Sequence, residues 1–176
     1  MIKLIKHLYR LNTLVFILIG FTLEIVVWII FGILVPDKYV KNPVVESFVK
    51  DESLLFLFIF SCILAPLVET FLFQFLPFRL IDSLFKLKRI KIRRFIYLFL
   101  VPIIFGYQHY YNFYYFLAGC MVGFIFCFFF YLSNLRKQNG VILVAIIHSL
   151  NNSIALFGNL NIWKACSINP SPPNMH

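Results

Sequence analysis

Long apolar runs alternate with short polar segments along the chain, and these runs predict membrane-spanning helices. The runs cover residues 11–35, 53–78, 95–109, 113–132 and 141–158. A helix needs about 20 apolar residues to cross the ~30 Å hydrocarbon core of a bilayer. The third run would span only about 22 Å at ~1.5 Å per residue, and it contains Pro102. The pattern therefore predicts an all-α polytopic membrane protein with about five transmembrane helices, of which the third is short, broken or re-entrant.

Composition supports a bilayer environment. Of the 176 residues, 61% are hydrophobic and 13% are charged, and the mean hydropathy is +0.88. Soluble domains carry about a quarter charged residues, so this chain has too much apolar surface for water. The first run is too long for a signal-peptide core and lacks a small-residue cleavage site, which indicates an uncleaved first helix. We expect one integral-membrane domain over residues 1–158 and an irregular tail over 159–176.

The net charge of +9 is explained by the loops between the spans. Basic residues concentrate before the first run, in K-L-K-R-I-K-I-R-R at residues 86–94, and in the segment 133–140. Loops rich in Lys and Arg face the cytoplasm and anionic headgroups. Alternating five spans then places the N-terminus in the cytoplasm and the C-terminus outside. No basic face is left for nucleic acid, so we exclude nucleic-acid binding.

Polar residues inside the apolar runs are the candidates for chemistry. Glu69 lies in the segment C-I-L-A-P-L-V-E-T-F-L-F-Q-F-L-P-F-R-L at residues 62–80, and Thr70 and Gln74 lie beside it. A charged side chain at the centre of a membrane helix costs about 2.5–3.5 kcal/mol on insertion scales, so such residues usually serve a function. His109 ends the third run in F-G-Y-Q-H.

The fifth run supplies His148 and Asn152 in H-S-L-N-N. A spacing of four places these two side chains on one helical face. Singly, such residues often only hydrogen-bond a neighbouring helix. Together with Glu69 and His109, they match what hydrolysis by a general base or a metal requires: a carboxylate, imidazoles and an amide donor. Counting from the cytoplasmic ends puts Glu69 about 15 Å deep, His148 about 12 Å and His109 about 21 Å.

Other polar or small residues in the runs have structural interpretations. Glu24 lies in the middle of the first run, where it can snorkel, pair internally or assist a site, and we favour a structural role. The spacing of Gly119 and Gly123 favours close approach of helices. The cysteines form no C-x-x-C pair and are expected to pack as small hydrophobic residues; they are Cys62, Cys120, Cys127 and Cys166.

The segments A-P-L-V-E-T-F-L-F-Q, F-G-Y-Q-H, the helix with G-C-M-V-G, and H-S-L-N-N occur in that order. They resemble the CPBP (ABI) intramembrane proteases, related to type II CAAX prenyl endopeptidases and to bacteriocin-processing and self-immunity membrane proteins. That family's pattern is E-E-x-x-x-R, then F-x-x-x-H, then H-x-x-x-N/D on consecutive helices. The resemblance covers about residues 60–158. It implies a protein of the bacterial cytoplasmic membrane that cleaves a membrane-associated peptide or protein.

The resemblance also implies roles for four residues. Glu69 corresponds to the glutamate that activates water, and His109 to the histidine that assists the water or binds a metal. His148 and Asn152 correspond to the last motif, with roles in metal binding or in stabilising the oxyanion. We prefer Glu69 as the base, with His109 positioning the water. A zinc ion or other divalent metal held by the two histidines is the open variant.

The chain departs from the family pattern at two positions. Thr70 replaces the second glutamate and Gln74 replaces the arginine. Residues four apart share a helix face, so the two can form a neutral hydrogen-bonded pair. Two other functions stay open: a non-catalytic membrane partner, such as a bacteriocin self-immunity or scaffold protein, and a small proton or metal transporter.

Overall fold

The computed structural model describes residues 8–36, 39, 52–85 and 90–168, with the backbone alone for 159–168. These residues form five long helices and no strand. The helices are α1 (Thr13–Leu34), α2 (Leu54–Leu84), α3 (90–108), α4 (Phe113–Leu135) and α5 (Gly140–Ile168).

The helices confirm an all-α polytopic membrane protein. Four of them, namely α1, α2, α4 and residues Gly140–Gly158 of α5, are long and apolar enough to cross a bilayer. Their starts follow local sequence signals, because a polar side chain before each helix accepts hydrogen bonds from the first free N–H groups. These capping residues are Asn12, Ser53, Asn112 and Asn139.

Several helix boundaries differ from the prediction. Helix α2 ends at Leu84, six residues after the predicted Phe78, and α4 ends at Leu135, three residues after the predicted end. Helix α3 begins at Ile90, five residues before the predicted start at Phe95, and so includes part of the basic segment. Arg93 in this first part pairs with Asp82 of α2, which stabilises the extension. Helix α5 continues to Ile168 instead of ending at Gly158, because residues 159–168 contain no Gly or Pro to stop it. Residues 169–176 of the predicted tail lie outside the described part of the chain.

Helices α2 and α3 together contain three π-helical turns, and each of these turns ends shortly before a proline. Proline has no N–H and clashes with the carbonyl four residues earlier, which disrupts the α-helical ladder there. A π-helical turn, with bonds from i to i+5, accommodates this disruption without breaking the helix. The pairs are Phe60–Leu64 with Pro66, Thr70–Phe75 with Pro77, and Ile96–Leu100 with Pro102.

Glycines bring α3 and α4 into backbone contact. A Cβ added at Gly119 would lie 2.9 Å from the Cα of Gly106, and one added at Gly106 would lie 2.8 Å from the backbone N of Cys120. A Cβ at Gly123 would lie 2.9 Å from the ring of Phe105. This confirms that the small residues of α4 are a packing device. The contact fixes the C-terminal end of α3, which ends at Gln108.

The core is aromatic and lies toward the ends of the helices that carry the basic residues. Phe16 of α1 packs against Phe129 of α4 at a ring distance of 4.8 Å, and Phe130 contacts Tyr97 at 6.3 Å. Arg136 closes this end, since its guanidinium donates to two backbone carbonyls before α1 and stacks 4.5 Å above Phe16. The loop after α4 and the start of α1 are therefore joined.

The remaining polar and cysteine positions of the spans are buried. Glu24 is fully buried, and neither of its carboxylate oxygens has a hydrogen-bond partner among the described residues. Its carboxylate therefore does not snorkel to the membrane surface, and no described side chain pairs with it. Cys62 and Cys127 are buried in apolar clusters, as expected for packing residues, and Cys120 contacts α3 at Gly106. The side chain of Cys166 lies outside the described residues.

Candidate active site

Glu69 faces both internal histidines. Its Oε2 lies 3.6 Å from Nε2 of His109 and 3.8 Å from Nε2 of His148. The three residues come from α2, the end of α3 and α5. The structure thus brings together the acid and the two imidazoles that the sequence analysis selected. One carboxylate oxygen between two imidazole nitrogens forms a compact polar group within the helix bundle.

His109 is held by the helix that it ends. It lies just after α3, and its Nδ1 is 2.9 Å from the carbonyl oxygen of Phe105. A carbonyl can only accept, so this hydrogen bond requires the proton on Nδ1 and leaves Nε2 directed at Glu69. The depth count placed His109 too far from Glu69. That count assumed straight helices that start level with one another, whereas the structure places Nε2 of His109 3.6 Å from Oε2 of Glu69.

His148 is almost fully buried, with 6% of its surface exposed. Its ring lies 4.6 Å from the ring of Phe126 and 6.4 Å from that of Phe105. Its Nδ1 has no hydrogen-bond partner in the part of the chain that the structure describes. The two phenylalanines therefore fix the ring of His148 by packing, and its Nε2 is turned toward Glu69.

Asn152 is positioned by a carbonyl that a proline leaves free. Its Nδ2 donates to the backbone oxygen of Ser61 over 2.8 Å. In the π-helical turn of α2, the N–H of Ala65 bonds to the carbonyl of Phe60. The next i+5 bond, from residue 66 to Ser61, cannot form because Pro66 has no N–H. The carbonyl of Ser61 is therefore available to Asn152, and α5 is anchored to α2 beside the site.

Thr70 and Gln74 do not form the predicted hydrogen-bonded pair. Both side chains are fully buried, and the hydroxyl of Thr70 and both polar atoms of the Gln74 amide have no hydrogen-bond partner among the described residues. The reason is the local helix geometry. Both residues lie in the π-helical turn Thr70–Phe75, where i+5 and not i+4 positions are in register, so a spacing of four no longer aligns them.

A cavity of about 660 Å³ contains the candidate site. The predicted residues Glu69, His109, His148 and Asn152 all line it. Three further polar or aromatic lining residues were missed by the sequence analysis; they are Trp28, Tyr115 and Asn151.

A sequence signal was available for only part of this lining. Asn151 is adjacent to Asn152 in the same motif, so it could have been included with it. Tyr115 follows the turn after His109 by only a few residues. Trp28 lies in α1, far away in sequence, and no spacing rule connects it with the site.

The residues at the site provide a limited set of metal donors. Zinc sites usually have three or four protein ligands drawn from His, Cys, Asp and Glu. The described residues contain no group of three or more such side chains that could hold a metal ion. The two histidines share only the carboxylate of Glu69, which is also the candidate base. The donor set therefore does not fit a metal well, and we derive no catalytic step through one.

Comparison with known families shows the family of the chain. The family model described as type II CAAX prenyl endopeptidase Rce1-like matches residues 51–154. The chain belongs to this family. The matched region begins just before α2 and ends within α5, so it includes all four candidate residues. No curated protein and no solved structure matches the chain. The chain is thus an integral membrane protein of a membrane-endopeptidase family.

Proposed function

We propose that the protein is an intramembrane endopeptidase that hydrolyses a peptide bond of a membrane-associated peptide or protein. Glu69 activates the attacking water. The observation that supports this most directly is the position of Glu69 Oε2, 3.6 Å and 3.8 Å from the Nε2 atoms of His109 and His148. Oε2 of Glu69 and Nε2 of His109 are both acceptors in this arrangement, and their separation of 3.6 Å allows them to share one water molecule.

The attack begins with a water molecule between Glu69 and His109. With the proton of His109 on Nδ1, its Nε2 accepts one hydrogen of the water, and the carboxylate of Glu69 accepts the other. Glu69 removes its proton as the water oxygen bonds to the scissile carbonyl carbon. The carbonyl π electrons move to the oxygen and form an oxyanion. The proton then passes from Glu69 to the amide nitrogen, the C–N bond breaks, and a carboxylic acid and an amine leave.

The oxyanion needs donors that are already in place. Nε2 of His148 lies on the side of the ring that faces Glu69. An N–H at this position would donate a hydrogen bond to the developing negative charge. Asn152 has two N–H groups on Nδ2, of which one donates to the carbonyl of Ser61. That bond fixes the orientation of the Asn152 amide, so its second N–H supplies the other donor to the oxyanion. Such fixed donors cost little reorganisation when charge develops.

The proposed location is the bacterial cytoplasmic membrane, with the N-terminus in the cytoplasm. The basic residues before α1, between α2 and α3 and after α4 support this orientation. The lipid bilayer is the main partner. The apolar lining of the cavity supports a substrate segment with apolar side chains.

Cleavage by the purified protein is the decisive test. Detergent-purified protein is incubated with a pool of random quenched-fluorescent peptides that each carry one alkyl chain, in parallel with Glu69→Gln. We expect cleavage by the wild type and a loss of about 10²–10⁴-fold in the variant, because a neutral amide cannot accept the proton. The same variant must insert and purify normally. Equal turnover by Glu69→Gln contradicts the proposal, and no turnover by either favours the non-catalytic partner.

A further inference from the structure

The cavity lies at one end of the helix bundle. Along α1 it is lined by Ile25, Trp28 and Ile29, all in the second half of a helix that begins at Thr13. Along α4 it is lined by Tyr115, Gly119 and Val122, in the first half of Phe113–Leu135. Because α1 and α4 run in opposite directions, these halves are at the same end. His109, at the end of α3, lies there too.

The opposite end of the bundle is closed below the site. The rings of Phe105 and Phe126 contact His148, and the aromatic core formed by Phe16, Phe129 and Phe130 continues from there. Arg136 then joins the loop after α4 to the carbonyls of residues 8 and 11. Among the described residues, none at this closed end of the bundle lines the cavity.

Helices α1 and α5 separate toward the cavity end. At Gly20 an added Cβ would lie 2.7 Å from the side chain of Ile147, so the two helices are in tight contact there. Farther along, Ile29 of α1 and Ile154 of α5 both line the cavity and are more than half exposed, at 55% and 53%. An added Cβ at Gly158 would meet no atom within 4 Å. The two helices thus form the sides of a cleft.

Positive charge marks the closed end. Twelve of the sixteen Lys and Arg residues of the sequence lie before α1, near the end of α2, between α2 and α3, at the start of α3 or just after α4. The other four are Lys38, Lys41 and Lys50, which follow α1 in a segment with four acidic residues, and Lys164 in α5. Loops with this excess of basic residues stay in the cytoplasm. The closed end is therefore cytoplasmic, and the cavity end faces the other side of the membrane.

We infer that the cavity opens to the extracytoplasmic side, and that the substrate is a membrane-anchored polypeptide whose scissile bond lies on that side. The substrate part of this inference rests on the proposed function. A chain entering the cleft between α1 and α5 meets apolar side chains first and reaches Glu69 from the face opposite the basic loops. A cytoplasmic peptide would have to pass the aromatic core and the loop held by Arg136.

Cysteine labelling tests the direction of the cavity without reference to activity. In a background with all four native cysteines replaced, Gly158→Cys lies at the cleft and Lys91→Cys at the basic end. Intact spheroplasts are treated with a membrane-impermeant maleimide. We expect labelling of Gly158→Cys in intact cells, and labelling of Lys91→Cys only after the membrane is opened. The reverse pattern, or equal labelling of both in intact cells, overturns the inference.

A second measurement concerns the substrate and uses the protein with its native cysteines. A pool of quenched peptides that each carry one alkyl chain and a highly charged segment that prevents crossing of the membrane is added to right-side-out spheroplasts or to inside-out vesicles, and the signal from Glu69→Gln membranes is subtracted. We expect Glu69-dependent cleavage with the spheroplasts alone. Cleavage only with inside-out vesicles overturns the inference and leaves the proposed function standing. Expected labelling without cleavage in either preparation contradicts the proposed function and the substrate, but keeps the direction of the cavity.

Discussion

Asn152 of α5 donates a hydrogen bond to the carbonyl oxygen of Ser61 in α2, over 2.8 Å. The two residues are 91 positions apart, and the bond exists because Pro66 cannot use that carbonyl. A proline in one transmembrane helix thus determines where the amide of another helix points. In the proposed mechanism this amide stabilises the oxyanion, so the proline contributes to catalysis without contacting the substrate.

Replacing Pro66 by alanine restores an N–H that can compete for the carbonyl of Ser61. We expect kcat to fall by about 3- to 10-fold, the equivalent of one ordinary hydrogen bond, while the melting temperature is maintained because α2 gains a backbone bond. Peptide cleavage and thermal unfolding in detergent measure the two effects. Pro77→Ala is the matched control, since Pro77 follows the other π-helical turn of α2. An equal loss of kcat in both variants contradicts a specific effect on Asn152.

His148→Ala removes a proposed oxyanion donor, and we expect kcat to decrease by about 10²–10³-fold. Asn151→Ala is the control, because Asn151 lines the same cavity but has no role in the proposed chemistry. Steady-state cleavage should separate the two variants clearly. If the loss in His148→Ala is confined to KM, the residue binds substrate and does not stabilise the transition state.

The side-chain polar groups of Thr70 and Gln74 are buried and have no hydrogen-bond partner among the described residues, so they are expected to destabilise the fold. Unsatisfied buried polar groups cost about 1–3 kcal/mol each. We expect Thr70→Val and Gln74→Met to raise the melting temperature and to leave cleavage unchanged. A variant that melts higher but no longer cleaves would show that the pair acts on the substrate or on a water molecule, in place of the family's glutamate and arginine.

Gly106→Ala is expected to separate α3 from α4. The new Cβ would lie 2.8 Å from the carbonyl oxygen of Phe116 and from the backbone N of Cys120, and backbone atoms cannot easily move away. Overpacking of this kind costs about 1–3 kcal/mol, and it would also displace His109. Both the melting temperature and kcat should fall. Gly32→Ala, where an added Cβ meets nothing within 4 Å, should retain activity and stabilise α1.

Cleavage is expected to persist in the presence of a chelator. The proposed reaction uses the carboxylate and imidazoles directly, and the described His, Cys, Asp and Glu side chains do not form a metal-binding group of three. Activity of the purified protein is compared before and after dialysis against EDTA or 1,10-phenanthroline. Loss of cleavage that is restored by added zinc would contradict this and favour the variant in which His109 and His148 hold a metal.

The apolar pattern by itself determined the helices, because a bilayer requires long apolar segments with internally satisfied backbones. The sequence also singled out Glu69 and the two histidines, since polar side chains are costly at membrane depth. Their proximity follows from contacts between distant segments. The α3–α4 contact at Gly106 and Gly119 fixes the end of α3, and no local spacing contains that information.

Only the tertiary structure decided three further points. Trp28 reaches the cavity because α1 packs beside α5 and then separates from it, which depends on the shapes of both helices. Thr70 and Gln74 fail to pair because a π-helical turn changes the register that their spacing assumes. Asn152 points to Ser61 because a proline elsewhere leaves one carbonyl free. Each outcome depends on where helices deviate from ideal geometry, whereas periodicity rules assume regular helices.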